Sequence, residues 1–169
     1  MSIVFEPLGT DHKRASFSCG DPDLDDWFIR RASQDDRRNV ARVFVAVDDV
    51  LGIVGFYSLS SFTLALEDVP EEIARKLPRY SAIPAALIGR LACDKKAQGR
   101  GIGSLLLADA VRRILSASKT LAVFAIVVDA KRAAVAFYEG FGFRSLPLHP
   151  DRLFLLTSSA SSAIQKLDE

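Results

Sequence analysis

The segment from Ala85 to Arg113 restricts the fold of this chain more than any other. Ala85-Ala86-Leu87-Ile88-Gly89-Arg90-Leu91-Ala92-Cys93 is an apolar, strand-like run, followed after a short charged piece by Gln98-Gly99-Arg100-Gly101-Ile102-Gly103. Ser104 to Leu115 then repeats apolar residues at helical spacing. A strand that feeds a glycine-dense turn and opens a helix is a place to hold an anion. Glycines let the backbone come close and take positive φ, and the N–H groups of a helix's first turn lack carbonyl partners one turn earlier. Two well-known phosphate turns fit badly. Gly99, Gly101 and Gly103 recur every second residue, not as G-x-G-x-x-G, and no Lys precedes Ser104 as a P-loop requires. Two readings stand at this point: a phosphate-gripping turn for another coenzyme, and a tight strand-to-helix connection that binds nothing.

The rest of the chain narrows the class. With 169 residues, 49% of them hydrophobic and 25% charged, it is long enough for one well-filled domain, 1–169, with a tail of uncertain structure from about residue 158. No apolar run nears the roughly 18 residues of a membrane span. The N-terminus has no basic flank or cleavage site of a secretory signal. Cys19 and Cys93 are far apart and only His12 and His149 accompany them, which argues against a disulfide framework and a zinc site. A reducing cytoplasm is the expected location, and neither a metal nor a membrane partner is expected. The net charge of +1 singles out no partner. Its distribution is lopsided: Arg75, Lys76, Arg79, Arg90, Lys95, Lys96, Arg100, Arg112, Arg113 and Lys119 surround the glycine turn, against Asp94 and Asp109. Such a segment attracts coenzyme phosphates or nucleic acid, or is merely a solvated face.

In chain order, Ile3 to Leu8 reads as a strand ended by Pro7, and Asp21-Pro22 as a helix start with an Asp cap. Leu24, Trp27, Phe28 and Ala32 form that helix's buried stripe, which gives out near Asp35-Asp36. Val40 to Val47 and Leu51 to Ser60 read as a hairpin, Phe62 to Glu67 as an irregular piece, and Pro70 to Leu77 as a short helix stopped by Pro78. Tyr80 to Pro84 is expected to be loop. Leu121 to Val128 is a strand covered on both faces. Lys131 to Glu139 is a helix ended by Gly140, and Phe141 to Arg144 and Leu153 to Leu156 are last strands. The expectation is an α+β fold with one mixed central sheet of about six or seven strands flanked by about four helices.

Gln98, Gly101 and Gly103 resemble the acetyl-CoA turn of the GNAT acetyltransferase superfamily, Gln/Arg-x-x-Gly-x-Gly/Ala. Ala134, Phe137, Tyr138, Gly142 and Phe143 are similar to its late helix, Ala-x-x-Phe-Tyr-x-x-x-Gly-Phe. Phe17-x-Cys19-Gly20, Gly55 to Leu59, Pro78-Arg79-Tyr80 and Leu87 to Ala92 resemble the branch of GNAT toxins from bacterial toxin–antitoxin pairs. The likeness runs from about Phe5 to Leu156. It implies the GNAT fold and acetyl-CoA as co-substrate. For the branch it implies acetylation of the α-amino group of aminoacyl-tRNA, a block on translation, a homodimer, and a small antitoxin of ribbon-helix-helix type.

The resemblance places Tyr138 as the acid that protonates the departing thiolate; spacing alone reads it equally as a core tyrosine beside Phe137. A phenol with a pKa near 10 keeps its proton at neutral pH. Backbone groups of Leu91, Ala92 and Cys93 are expected to hold the pantetheine arm and polarise the acetyl carbonyl, in the manner of an oxyanion hole. Gln98, Gly99, Arg100, Gly101, Ile102, Gly103 and Ser104 are expected to bind the pyrophosphate. The Cys93 side chain reads as core-facing rather than as an acetyl carrier, and His149 as a surface residue. An α-amino group titrates near 8 and needs no strong base. For an acceptor tRNA, Arg90, Lys95, Lys96, Arg30 and Arg31 are candidate phosphate contacts, with Arg37 and Arg38 nearby. Phe56 and Tyr57 are candidates to line an aminoacyl pocket, or simply buried aromatics. Two other functions remain open: a GNAT acting on a small amine, a peptide or a protein N-terminus, and a non-catalytic acyl-CoA-binding module.

Overall fold

Asp21 shows how directly local sequence sets local structure. Its side chain accepts hydrogen bonds from the N–H groups of Asp23 and Leu24, and Pro22 fills the first helical position. Helix α1 (Pro22–Arg30) therefore starts where the cap and the proline ring put it. The computed structural model describes residues 2–168. Before α1 comes strand β1 (Ile3–Pro7), and after it α2 (Ala32–Arg37), β2 (Arg42–Asp48), β3 (Gly52–Ala65) and α3 (Glu71–Ala74). The chain continues with β4 (Ala82–Cys93), α4 (Ile102–Ala117), β5 (Ala125–Asp129), α5 (Val135–Phe141), β6 (Arg144–Leu146), β7 (His149–Leu156) and α6 (Thr157–Asp168).

The strands form one seven-stranded mixed sheet in the order β1-β2-β3-β4-β5-β7-β6. β4 and β5 are parallel; β1 with β2, β2 with β3, β5 with β7 and β6 with β7 are antiparallel. The parallel ladder covers Ala85–Ile88 and Ala125–Val128, so Gly89 to Cys93 lie past its end. The chain divides into two compact units, one of residues up to Ser60 with Gly89–Ala110, the other of Ser61–Ile88 with the residues from Val111 onward.

Each unit has its own core. In the first, Phe28 and Phe56 stack with ring centroids 4.1 Å apart, and Phe17 meets them edge-on at 4.9 and 5.4 Å. Trp27, Ala32, Val43, Val45, Ile53 and Ala92 close round them. This is the stripe expected from helical spacing, broken into two helices at Arg31, whose φ is −119°. In the second, Leu64, Val69, Ile83, Ala85, Ala125, Val127, Leu146 and Phe154 cluster.

Several boundaries differ from the sequence reading. β3 runs on to Ala65 where an irregular piece was expected, because Phe62 and Leu64, two residues apart, share the face that enters the second core. β4 begins at Ala82 rather than after Pro84, with Ile83 buried. β5 is shorter than its apolar run: Leu121 is 72% exposed, and only Ala125 to Val128 are fully buried. The late helix stops at Gly142, which takes φ 116°, and not at Gly140. The residues from Thr157 onward form α6, where Ala160 is buried and Ala163 and Ile164 half-buried at helical spacing. With α2 and α6 the α-helices among the described residues number six.

Gly55 sets how closely α4 approaches the sheet. A Cβ there would lie 2.7 Å from Leu106 Cδ1 and 3.0 Å from the Ala92 carbonyl oxygen. Gly55→Ala is expected to cost about 1–3 kcal/mol through overpacking. Urea unfolding reads this as a lower midpoint at constant slope; an unchanged midpoint would mean that Leu106 simply swings aside.

Candidate active site

The glycine turn has the backbone its composition implies. After β4 a 3-10 turn (Lys95–Ala97) leads to Gln98, then Gly99 at φ 83° and Gly101 at φ 75°, and α4 begins at Ile102. No atom lies within 4 Å of where a Cβ would stand at Gly99 or Gly101, so the space over the turn is open. Leu105 N–H already bonds the Gly101 carbonyl, whereas Ile102, Gly103 and Ser104 precede the first full helical turn. Their N–H groups have no carbonyl one helical turn earlier and stand at the positive end of the helix dipole.

What holds this turn comes from a distant part of the chain. Asp94 is only 4% exposed, and its carboxylate accepts from Ser18 N–H at 3.1 Å and Lys96 N–H at 2.9 Å. Asp94 N–H donates to the Val54 carbonyl and Lys95 N–H to the Ser18 carbonyl, both at 2.8 Å. The Gln98 amide donates to the carbonyls of Cys19 and Cys93, each at 3.1 Å. Gln98, expected among the pyrophosphate ligands, thus spends its side chain bracing the turn. Sequence reading missed Asp94 altogether. Its only local signal is an Asp two residues before the N–H it caps, and its main partner, Ser18, is remote in sequence.

Arg100 is exposed and lines a surface cavity of about 550 Å3 with Ser2, Asp48, Asp49, Val50 and Leu51. Cys93 is half-buried, and burial pushes its thiol up. Cys19 is pushed further, to about 11, first by burial and then by its hydrogen bond with Asp25.

Phe56 and Tyr57, offered as pocket-lining residues, are both fully buried. Phe56 stacks in the aromatic core, and the Tyr57 hydroxyl donates to Asp109 on α4. Their place is the packing role. Among the cations, Lys95 and Arg31 are exposed and Arg30 pairs with Asp26 at 3.0 Å. Lys96 Nζ lies 3.8 Å from Asp94. Arg90 differs from these: its guanidinium carbon sits 4.1 Å from the centroid of the Trp27 indole.

Tyr138 lies in the second unit, on α5, and is 6% exposed. Phe137 and Phe143 meet its ring edge-on at 5.1 and 5.7 Å. Burial raises its phenol to about 12. The αL cap at Gly142 turns the chain so that Phe143 N–H bonds the Tyr138 carbonyl at 3.2 Å. His149 is half-exposed, 3.6 Å from Asp68.

The profile of the acetyltransferase (GNAT) domain matches residues 39–145. A curated relative, the tRNA-acetylating toxin of Mycobacterium tuberculosis, is 41% identical over 88% of this chain and 89% of its own. Among solved structures, AtaT complexed with acetyl-methionyl-tRNAfMet superposes with a TM-score of 0.87 at 26% identity, covering 99% of this chain and 100% of that one. A tyrosine-to-phenylalanine mutant of the AtaT toxin bound to the C-terminus of the antitoxin AtaR superposes with a TM-score of 0.79 at 25% identity, over 98% of this chain and 97% of the other. The open glycine turn at the head of α4 and the Phe-Tyr helix capped by Gly142 fall inside the matched residues or at their border. The chain belongs to the GNAT acetyltransferase family.

Proposed function

We propose that residues 1–169 form a single acetyltransferase domain that moves acetyl from acetyl-CoA to the α-amino group of aminoacyl-tRNA, and so acts as a translation-blocking toxin. The observation that carries the transferase reading is the open turn, with Gly99 and Gly101 at positive φ before the N-terminus of α4. The acceptor is supported by the tRNA-acetylating relative, similar along nearly the whole chain.

The residues divide the work as follows. Backbone N–H groups from Gly99 to Ser104 bind the pyrophosphate, with Arg100 adding charge and Gln98 bracing the turn. Acetyl-CoA, when bound, supplies an activated thioester carbonyl. Leu91, Ala92 and Cys93 hold the pantetheine arm and donate to the carbonyl oxygen as negative charge collects there. The neutral amine forms the new C–N bond, and the C–S bond breaks. Tyr138 gives its proton to the leaving sulfur, and the proton lost by the amine passes to solvent and restores the phenol. Lys95, Lys96, Arg30 and Arg31 attract the acceptor's phosphates. A homodimer and a ribbon-helix-helix type antitoxin belong to the same proposal, in line with the antitoxin-bound AtaT structure.

Incubated with labelled acetyl-CoA, the purified chain is expected to mark charged tRNA and leave deacylated tRNA unmarked. Tyr138→Phe is expected to lower kcat by about 10²–10⁴-fold with an unchanged Tm, since a buried ring remains. Equal labelling of both tRNA forms would overturn the acceptor assignment.

The pH profile tests the acid separately. A phenol raised to about 12 stays protonated throughout the working range. The rate is therefore expected to rise as the acceptor amine loses its proton and then stay level to about pH 10. A descending limb near pH 8–9 that disappears in Tyr138→Phe would contradict a buried, protonated Tyr138.

A further inference from the structure

We propose that Trp27 and Asp35 form a platform that fixes Arg90 as the receptor for the terminal phosphodiester of the acceptor strand. This inference rests on the aminoacyl-tRNA reading above.

Arg90 is anchored at both ends. Its backbone N–H donates to the Oγ of buried Ser58 at 3.1 Å, and its guanidinium carbon lies 4.1 Å from the Trp27 ring centroid. The indole is itself immobile: 6% exposed, stacked on Phe56 at 5.9 Å, its Nε1–H donating to Asp35 Oδ2 at 2.9 Å. An indole whose N–H points at a carboxylate is richer in electrons on its face, which strengthens its attraction for a cation. Asp35 thus acts on Arg90 through the ring as well as through its charge.

This arrangement is unusual for a merely structural arginine. Burial takes away part of the guanidinium's hydration and lowers its pKa. Such a group usually recovers the loss through a bidentate carboxylate. Among the described residues, the Arg90 guanidinium makes no hydrogen bond or ion pair. Stacking occupies its flat face and leaves the five N–H donors at its rim, the geometry that matches a phosphate fork. A preorganised, partly dehydrated cation that feels Asp35 only at a distance and holds no anion in direct contact is suited to receive one.

Position identifies the anion. Arg90 directly precedes Leu91-Ala92-Cys93, and strand alternation puts it on the face of Ala92, which packs in the same cluster as Trp27. In an aminoacylated acceptor end the ester is carried by the last ribose, and the nearest anion is the phosphodiester on that same ribose. A cation one residue from the acyl-polarising strand meets that phosphate, and not one deeper in the stem. The contact is common to every tRNA, so it supplies affinity and register without selecting the amino acid.

The test uses the full chain in four variants: Arg90→Gln, Arg90→Lys, Trp27→Phe and Asp35→Asn. Arg90→Gln is expected to raise KM for aminoacyl-tRNA about tenfold, with kcat and the KM for acetyl-CoA near wild type. In direct tRNA binding, its plot of log affinity against log salt is expected to be shallower by about 0.7, the value for one single-strand phosphate contact. Trp27→Phe and Asp35→Asn are expected to shift KM the same way by about threefold, and Arg90→Lys to restore the salt slope but not the full KM, because a lysine keeps charge without the planar stack. Wild-type KM and salt slope in an Arg90→Gln protein that still binds acetyl-CoA would overturn the inference. So would a shift in Tm and kcat alone. If the wild-type chain acetylates no charged tRNA, the substrate reading falls; the slope with tRNA still decides whether Arg90 touches a phosphate.

Discussion

The carboxylate of Asp94 is the interaction on which the glycine turn before α4 depends. Burying a charge is costly unless hydrogen bonds replace its water. Asp94 recovers that cost from the N–H groups of Ser18 and Lys96, with the Lys96 ammonium 3.8 Å away. The same residue donates its own N–H to Val54, so one side chain and one peptide unit tie three segments together at the mouth of the glycine turn. Gln98 adds a second tie, to the carbonyls of Cys19 and Cys93. Positive-φ glycines make the turn possible, but they also leave it conformationally loose. The two polar side chains on either side of Lys95-Lys96-Ala97 turn that freedom into one geometry.

The fastening continues into the aromatic core. Ser18 and Cys19 follow Phe17 and precede the α1 cap, so the strand-to-turn junction is joined directly to the Phe17–Phe28–Phe56 stack. Gly55 lets α4 settle against β3, with the Tyr57–Asp109 hydrogen bond one pleat further along. The helix that opens at the glycine turn is therefore seated on the sheet at Gly55 and Tyr57. Packing and polar contacts that look purely structural fix where backbone donors can point.

What was legible in the sequence was local. Asp21-Pro22 caps a helix because the relevant N–H groups lie two and three residues away. Gly99 and Gly101 take positive φ as glycines in a turn before a helix are suited to do. The seven strands and the late Phe-Tyr helix follow from period and punctuation. What was not legible depends on partners far apart in the chain. Gln98 fits a coenzyme signature letter for letter, yet its side chain serves Cys19, which sequence alone cannot pair with it. Arg90 looks like one basic residue among many; the Trp27 ring beneath it distinguishes it, and Trp27 itself reads as an ordinary member of a buried stripe. Phe56 and Tyr57 stay open in the sequence, since aromatic character is equally that of a pocket wall and of a core, and only burial decides. Gly140 and Gly142 differ by one φ angle, and the earlier glycine simply stays helical.

Desolvation bears differently on two weak acids of the chain. The Cys93 thiol and the Tyr138 phenol are both pushed up by burial. For a cysteine this works against a nucleophilic role, because the thiolate attacks and burial disfavours it. A route through an acetyl-cysteine is thereby disfavoured by the same strand geometry that puts Cys93 beside the turn. For a tyrosine acting as an acid the shift keeps the proton on the phenol, which is the form required, while weakening the drive to give it up. One physical effect, loss of water around a weak acid, weighs against a nucleophilic Cys93 and holds Tyr138 in its protonated form.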